Sequence, residues 1–265
     1  MSQVELEHGA ATDVGRVREV NEDAYLAAPP VFVVADGMGG YDGGDVASAI
    51  VVEEFRRLAD AGYDPRRGAE AVATTLADCQ ARIAAYIAQQ RAAGAAGYQA
   101  GTTAVVALLV EDDEGPRWLL ANLGDSRIYR WAGGRLDQVS VDHSLVQELV
   151  DAGQITPEEA AVHPERHVVT RALGGHATEA DYFLLPLAAG QRLLLCSDGV
   201  TEMLDDARVA KVLAGVEGAG AAAEALVAAA VEEGGRDNAT ALVVDVLGLV
   251  GADGVREPTG GDPRE

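Results

Sequence analysis

The sequence has few cysteines and lacks both a long apolar run and a recognisable leader. Its two cysteines, Cys79 and Cys196, lie far apart, so neither a disulfide framework nor a thiolate zinc site is predicted. Cys196 ends an apolar run, which is typical of a small buried hydrophobic residue. No stretch approaches the roughly 18 consecutive apolar residues of a membrane-spanning helix. The first residues also lack the basic and apolar regions of a signal peptide. We therefore expect a cytoplasmic protein that does not enter membranes.

Positive charge is scarce as well: Lys211 is the only lysine, and the formal net charge is -23. Nucleic acids are bound through lysine and arginine, and anionic membranes attract basic surfaces, so both are excluded as expected partners. Carboxylates are, however, the groups that hard cations bind. The chain has 265 residues, 48 % of them apolar, which is enough to bury a sizeable core. No linker divides it, so we expect one large domain.

Short β-branched or leucine-rich runs predict strands. These runs are residues 31–35, 103–110, 118–122, 127–131, 192–197 and 240–247. Several of them are apolar almost throughout, which indicates that both faces of the sheet are covered. The four residues 123–126 between two of the runs predict a hairpin turn.

Helical patterns separate the predicted strands, at residues 45–60, 69–90 and 221–232. Alternating strands and helices first suggest a parallel doubly wound fold. The hairpin and the long helix pair instead favour antiparallel sheets covered by helices.

Two parts of the chain have a different composition. Residues 142–173 are mostly polar, with short helical patterns interrupted by Gly153, Pro157 and Pro164, which predicts a surface subregion that could act as a lid. From Gly248 onward the chain is rich in glycine, proline and charge, which predicts disorder.

Aspartates at the ends of predicted strands are the strongest chemical signal. The five are Asp36 and Asp198, each followed by glycine after an apolar run, Asp237 before the last strand, Asp125 in the predicted turn, and Asp23. Asp-Gly is also a common turn dipeptide, so a plain turn remains the alternative for each pair alone. Strand ends on one side of a sheet lie close together, and carboxylates there repel one another unless cations neutralise them. Mg²⁺ and Mn²⁺ prefer such oxygen ligands, and two ions about 4 Å apart activate a bridging hydroxide.

Arg18 is the candidate phosphate contact, because its planar guanidinium matches phosphate oxygens. Most arginines are simply surface residues, and only the position of Arg18 five residues before Asp23 distinguishes it.

Several motifs occur in the order that one enzyme family shows. They are Arg18-Glu19-Val20-Asn21-Glu22-Asp23, Ala35-Asp36-Gly37-Met38-Gly39-Gly40, Gly101-Thr102-Thr103, Asn122-Leu123-Gly124-Asp125-Ser126-Arg127, Asp142-His143-Ser144, Cys196-Ser197-Asp198-Gly199-Val200 and Asp237-Asn238-Ala239-Thr240. Each motif is weak alone, but the ordered set covers residues 12 to about 247. The sequence thus resembles the bacterial type of the PPM, or PP2C-type, family of metal-dependent Ser/Thr protein phosphatases.

The resemblance implies an α+β fold, a four-layer α/β/β/α sandwich of two antiparallel sheets flanked by helices, with the metals at one edge. The phosphatase domain would cover residues 1–247 and include a flap at 142–171, and residues 248–265 would form a disordered tail. The implied reaction is hydrolysis of phosphoserine and phosphothreonine in proteins by a hydroxide bridging two divalent ions. This reaction would reverse Ser/Thr kinase signalling, with phosphoproteins and the opposing kinase as partners of a monomer.

The resemblance also implies roles for individual residues. Asp36, Asp198, Asp237 and the carbonyl of Gly37 would hold two tight Mn²⁺ or Mg²⁺ ions, and Asp23 would hold a metal-bound water. Asp125 together with Asp198 would hold a third, weaker ion, and Arg18 would bind the substrate phosphate.

Two positions depart from the pattern, and one rival function remains. Met38 stands where animal members have a histidine thought to protonate the leaving group, and Tyr41 stands where some bacterial relatives have histidine. The histidines at 143, 163, 167 and 176 lack the paired spacing of a zinc site, so we expect surface residues. The rival is a non-catalytic phosphoprotein-binding regulator, which usually loses the metal aspartates that this chain keeps.

Overall fold

The computed structural model describes residues 3–39 and 43–250, and its main strands form two five-stranded antiparallel sheets. The first sheet has the spatial order β1 (Gln3–Asp13), β12 (Ala239–Val250), β11 (Arg192–Cys196), β8 (Arg127–Ala132) and β9 (Arg135–Gln138). The second has the order β10 (Asp181–Pro186), β7 (Gly115–Leu123), β6 (Ala104–Asp112), β3 (Val31–Ala35) and β2 (Ala24–Ala28). A short ribbon pairs β4 (Gly37–Met38) with β5 (Gly101–Thr102).

Helices cover the outer face of each sheet. The second sheet is covered by α1 (Gly44–Ala61) and α2 (Gly68–Ala92), which bury Phe55 and Ile83 in one cluster with Val33 and Val106. The first sheet is covered by α6 (Asp206–Gly215) and α7 (Ala219–Glu232). There the buried cluster includes Leu213 and Leu226 from the helices and Leu194 and Val243 from the sheet.

A third core fills the space between the two sheets. Phe32 and Trp118 of the second sheet meet Leu193 and Val244 of the first sheet in this core, and all four side chains are buried. Successive residues of a strand point to opposite faces, so Phe32 contacts the other sheet while Val33 contacts the helices. Burial on both faces explains why strands such as β3 and β11 are apolar almost throughout. The four layers confirm the predicted α/β/β/α sandwich.

The predicted hairpin at residues 123–126 is wrong. β7 pairs with β6 and β10 in the second sheet, whereas β8 pairs with β9 and β11 in the first. The connection therefore crosses from one sheet to the other. A tight turn between two apolar runs can join neighbouring strands of one sheet or strands of two different sheets, so the sequence pattern could not distinguish the two arrangements.

Residues 142–171, here called the flap segment, carry two short helices, α3 (Leu145–Asp151) and α4 (Pro157–Ala161). Neither helix buries a residue, and each begins at a hydroxyl cap, Ser144 for α3 and Thr156 for α4. Leu145 N donates to Val168 O at 2.8 Å, so the segment leaves and returns at one place. The predicted polar surface subregion is therefore a surface segment whose two ends are hydrogen-bonded to each other.

The last strand, the two cysteines and the length of the helices can each be compared with the expectations from the sequence. β12 continues to Val250, three residues past the boundary expected at residue 247, and the rest of the predicted tail lies outside the described residues. Both cysteines are buried, and burial raises the pKa of each to about 12. Among the described residues, no helix is long and apolar enough to cross a membrane.

Candidate metal centre

The five aspartates lie at one edge of the sandwich because antiparallel pairing brings strand starts beside strand ends. Asp36 follows the end of β3, and Asp23 precedes β2, whose first residue Ala24 pairs with Ala35. In the first sheet, Asp198 follows β11, and Asp237 precedes β12, with Cys196 paired to Ala241. Asp198 begins α5 (Asp198–Thr201), a single helical turn. Asp125 reaches this edge from the connection between the two sheets.

Burial and mutual repulsion shift the titration of this cluster. Burial raises the pKa of Asp36 well above its usual value, and the charges of Asp23, Asp198 and Asp125 raise it further. Burial likewise raises the pKa of Asp198, with contributions from Asp125 and Glu202. The pKa of Asp125 rises to about 7 through burial and the charge of Asp142. That of Asp23 rises to about 6, mainly through burial. The protein alone therefore leaves these carboxylates poorly neutralised.

The donor set fits divalent cations of the Mg²⁺ and Mn²⁺ type. Among the described residues, Oδ1 of Asp23 is one of the few buried side-chain oxygens without a hydrogen-bond partner. Its Oδ2 accepts from Ser197 Oγ at 2.7 Å. This carboxylate oxygen without a partner lies near the buried Asp125 and the partly buried Asp36 and Asp198. Together they form an all-oxygen donor set, which hard cations prefer. These residues therefore suit a bound divalent cation. Without a cation, the raised pKa values indicate that protons neutralise part of the cluster.

The glycines that follow Asp36 and Asp198 let backbone segments approach closely. A Cβ on Gly37 would lie 2.4 Å from the carbonyl oxygen of Gly44 and 2.5 Å from that of Glu22. A Cβ on Gly199 would lie only 1.9 Å from the carbonyl oxygen of Asn238. Gly199 thus allows the segment that carries Asp237 to pack against Asp198. Close backbone approach is a second reason for the Asp-Gly pairs, beside the metal-facing carbonyl expected of Gly37.

Arg18 lies at the rim of the cluster. Its guanidinium contacts Asp237 Oδ2 at 2.6 Å, with 52 % of its side chain and 30 % of that of Asp237 exposed. The hydrogen bond to Asp237 raises the pKa of Arg18, so the guanidinium stays charged. The structure therefore brings Arg18 and all five aspartates to one edge.

Hydroxyl and amide side chains that we did not single out from the sequence hold this edge together. Thr103 Oγ1 accepts from Asp36 N at 3.0 Å and lies 2.8 Å from Ser126 Oγ, which links Asp36 to the connection carrying Asp125. Ser197 Oγ accepts from Thr240 N at 2.9 Å while donating to Asp23. The sequence signal for these residues was a hydroxyl residue at or next to the end of a mainly apolar strand, which occurs in four of the quoted motifs.

The expectation that four histidines lie on the surface is wrong for His143, which is 5 % exposed. Its ring is buried because it joins the connection carrying Asp125 to the flap segment. His167 is half exposed, and its Nδ1 lies 2.5 Å from Glu202 Oε1. His167, Asp198 and Glu202 each offer one potential ligand atom, and these three atoms lie within 4.8 Å of one another. Such a set could hold a metal ion. Sequence spacing could not reveal this set because the flap segment folds back over α5.

A polar cavity of about 710 Å³ separates the flap segment from the aspartate edge. Its lining includes Asp125, Asp198, Glu202 and Arg166. Asp125 and Asp198 are therefore open to a ligand on this side.

Comparison with known proteins gives the family. A family model described as Protein phosphatase 2C matches residues 15–232. The serine/threonine protein phosphatase PstP of Mycobacterium tuberculosis (strain H37Rv) is 38 % identical over 243 residues, which are 91 % of this chain and 45 % of PstP. The chain thus spans about half the length of that relative. The serine/threonine phosphatase stp of Listeria innocua is 35 % identical over 88 % of this chain and 93 % of its own length.

Solved structures agree with the sequence comparison. The crystal structure of Mycobacterium tuberculosis PstP/Ppp has a TM-score of 0.82 at 35 % identity and covers 91 % of this chain and 99 % of its own. The catalytic domain of PstP in complex with two manganese ions has a TM-score of 0.80 at 34 % identity, with 91 % and 98 % covered. The chain belongs to the protein phosphatase 2C family.

Proposed function

We propose that this chain is a protein-serine/threonine phosphatase that hydrolyses phosphoserine and phosphothreonine with the help of two divalent ions. The observation that carries the proposal is the carboxylate cluster, with the raised pKa values of Asp36 and Asp198 and the Oδ1 of Asp23 that has no hydrogen-bond partner. The names of the curated relatives and the two manganese ions in one neighbouring structure support it.

In this proposal Asp36, Asp198 and Asp237, with the carbonyl of Gly37, hold two Mn²⁺ or Mg²⁺ ions. Asp23 contributes through a water, and Asp125 with Asp198 holds a third, weaker ion. When bound, such ions supply a hydroxide nucleophile near neutral pH and stabilise developing negative charge. Buried aspartates suit this work because cations relieve their mutual repulsion.

The protein's own groups position the substrate. Arg18 is half exposed beside the cluster, so its guanidinium can face a phosphate dianion while Asp237 orients it. The nucleophile is a water molecule that has given up a proton to solvent; it bonds to phosphorus as the bond from phosphorus to the serine or threonine oxygen breaks. Met38 follows Gly37 and has no acidic proton, so the leaving oxygen takes its proton from a water molecule.

The biological setting is part of the same proposal. The domain of residues 1–247 acts as a monomer in the cytoplasm, on phosphoproteins made by an opposing Ser/Thr kinase. Residues 142–171 form a flap over the cavity. A net charge of -23 is consistent with protein substrates rather than nucleic acid.

Metal dependence tests the proposal. Purified chain is incubated with p-nitrophenyl phosphate and with a phosphothreonine peptide, in Mn²⁺ or Mg²⁺ and then in excess EDTA. We expect hydrolysis of both substrates with metal and none with chelator. Full activity after complete metal removal would overturn the proposed chemistry. Peptide binding without any turnover would favour the non-catalytic regulator.

A further inference from the structure

The connection carrying Asp125 depends on one histidine for its conformation. Gly124 has φ +116°, in the region that favours glycine. Its amide N–H donates to His143 Nδ1 at 3.2 Å, and its carbonyl accepts from His143 N at 2.9 Å. His143 therefore bonds both backbone groups of the residue immediately before Asp125.

The second ring nitrogen of His143 is anchored on the other side. Because Nδ1 accepts a hydrogen bond, the proton of the neutral ring is on Nε2. Nε2 lies 3.2 Å from Asp181 Oδ2, at the start of β10. Arg171 donates to the other oxygen of Asp181 at 3.3 Å. The ring is thus held between the connection and the second sheet, and its orientation is fixed from both ends.

The backbone of His143 also closes the flap segment. Its carbonyl accepts from Thr170 N at 2.8 Å, and the next residue, Ser144, bridges to Val169. One residue thus contacts the connection that carries Asp125, the entry of the flap segment and its exit.

We propose that His143 is a positioning residue for the third cation site, which fixes the direction of the Asp125 carboxylate and ties it to the base of the flap. This inference rests on the proposed function, in which Asp125 and Asp198 hold a weak third ion. Groups that orient a metal ligand contribute to metal affinity without touching the metal. Asn122 Nδ2 also donates to Gly124 O, at 3.2 Å. Loss of the His143 ring therefore leaves the Gly124 carbonyl hydrogen-bonded. Among the contacts of Gly124, it removes only the acceptor of the amide N–H.

Two polar substitutions separate the two ring contacts. In His143→Asn, Oδ1 takes the place of Nδ1 and can still accept from Gly124, while the contact with Asp181 is lost. In His143→Gln, the amide reaches the position of Nε2 and the acceptor for Gly124 is lost. His143→Ala loses both contacts. We expect His143→Asn to retain most of the wild-type behaviour and the other two to lose it.

The first readout is hydrogen exchange of the Gly124 amide by NMR in the metal-free protein. We expect exchange to become about threefold to tenfold faster in the alanine and glutamine variants, as for loss of one ordinary hydrogen bond, and to change little in His143→Asn. The second readout is calorimetric Mn²⁺ titration with the matching activation curve. The two tight sites should remain, while the weak site and half-maximal activation should shift at least about tenfold in the same two variants.

Controls distinguish failure of this inference from failure of the proposed function. His176→Ala, at an exposed histidine beyond the flap segment, should match wild type. If His143→Ala does not fold, comparison of the asparagine and glutamine variants still decides. Equal behaviour of these two, or rescue by glutamine alone, overturns the role of the Gly124 contact. If Asp125→Asn shifts the Mn²⁺ curve and the His143 variants do not, His143 is excluded while the third-ion site stands. If neither shifts it, the third-ion part of the proposed function fails as well.

Discussion

Each aspartate of this edge can be tested by a substitution that removes its charge and keeps its size, and Asp237, which is 30 % exposed and paired with Arg18, is the first. In Asp237→Asn we expect the turnover number with Mn²⁺ to fall at least about a hundredfold, because a group that places charge at the reacting centre is lost. Circular dichroism should show an unchanged fold, since relief of carboxylate repulsion need not reduce stability. Asp60→Asn, at an exposed position near the end of α1, is the control. A normal rate in Asp237→Asn would exclude Asp237 as a metal ligand.

Arg18 is the residue whose surface alternative is strongest, because half of its side chain is exposed. If it binds phosphate, Arg18→Ala should raise KM for the phosphopeptide with little change in the Mn²⁺ titration. Arg18→Lys should recover only part of the loss, because an ammonium replaces a bidentate fork. Steady-state kinetics and calorimetry on both variants measure this. Unchanged kinetics in both would make Arg18 an ordinary surface arginine.

At the scale of elements, the contact between the turn after β11 and the segment before β12 sets the distance between Asp198 and Asp237. Gly199→Ala would place a Cβ 1.9 Å from Asn238 O, so the two segments must separate. We expect a loss of stability of about 1–3 kcal/mol, typical of overpacking, and weaker Mn²⁺ binding. Gly215→Ala, at the end of α6 where a Cβ meets nothing within 4 Å, should be neutral or slightly stabilising. Chemical denaturation and calorimetry check both, and unchanged Mn²⁺ affinity in Gly199→Ala would contradict the geometric role.

The elements also show which parts of the structure are readable from sequence. Residues 31–35 were predicted as a strand and form β3, because a fully buried strand is continuously apolar. β1 and β10 were not predicted, since residues at the edge of a sheet are partly exposed and their apolar pattern is diluted. The aspartates could be grouped because each flanks a strand. The contact between Ser197 and Asp23 could not be predicted from the sequence, because 174 positions separate the two residues.

For the whole molecule, metal and pH are linked through the aspartate edge. In the metal-free fold the pKa of Asp23 is about 6 and that of Asp125 about 7, above the ordinary value of 3.8. Carboxyls with raised pKa values contribute most to folding stability below about pH 3.8, and this contribution is lost as pH rises through 6 and 7. Mn²⁺ needs the deprotonated carboxylates, so its stabilising effect grows over the same range.

The linkage predicts how thermal stability changes with pH. We expect the Tm of EDTA-treated protein to fall from about pH 5 to about pH 8, and the increase in Tm caused by Mn²⁺ to be small at the lower pH and several degrees at the higher. Asp125→Asn should weaken the fall in the metal-free protein, because it removes one carboxyl that resists ionisation. The same substitution should leave most of the Mn²⁺ effect in place, because we propose Asp36, Asp198 and Asp237 as the ligands of the tight ions. Scanning calorimetry at four pH values, with EDTA and with Mn²⁺, measures both slopes. An equal Mn²⁺ effect at every pH would contradict the linkage, because ions held by deprotonated carboxylates must compete with protons for them.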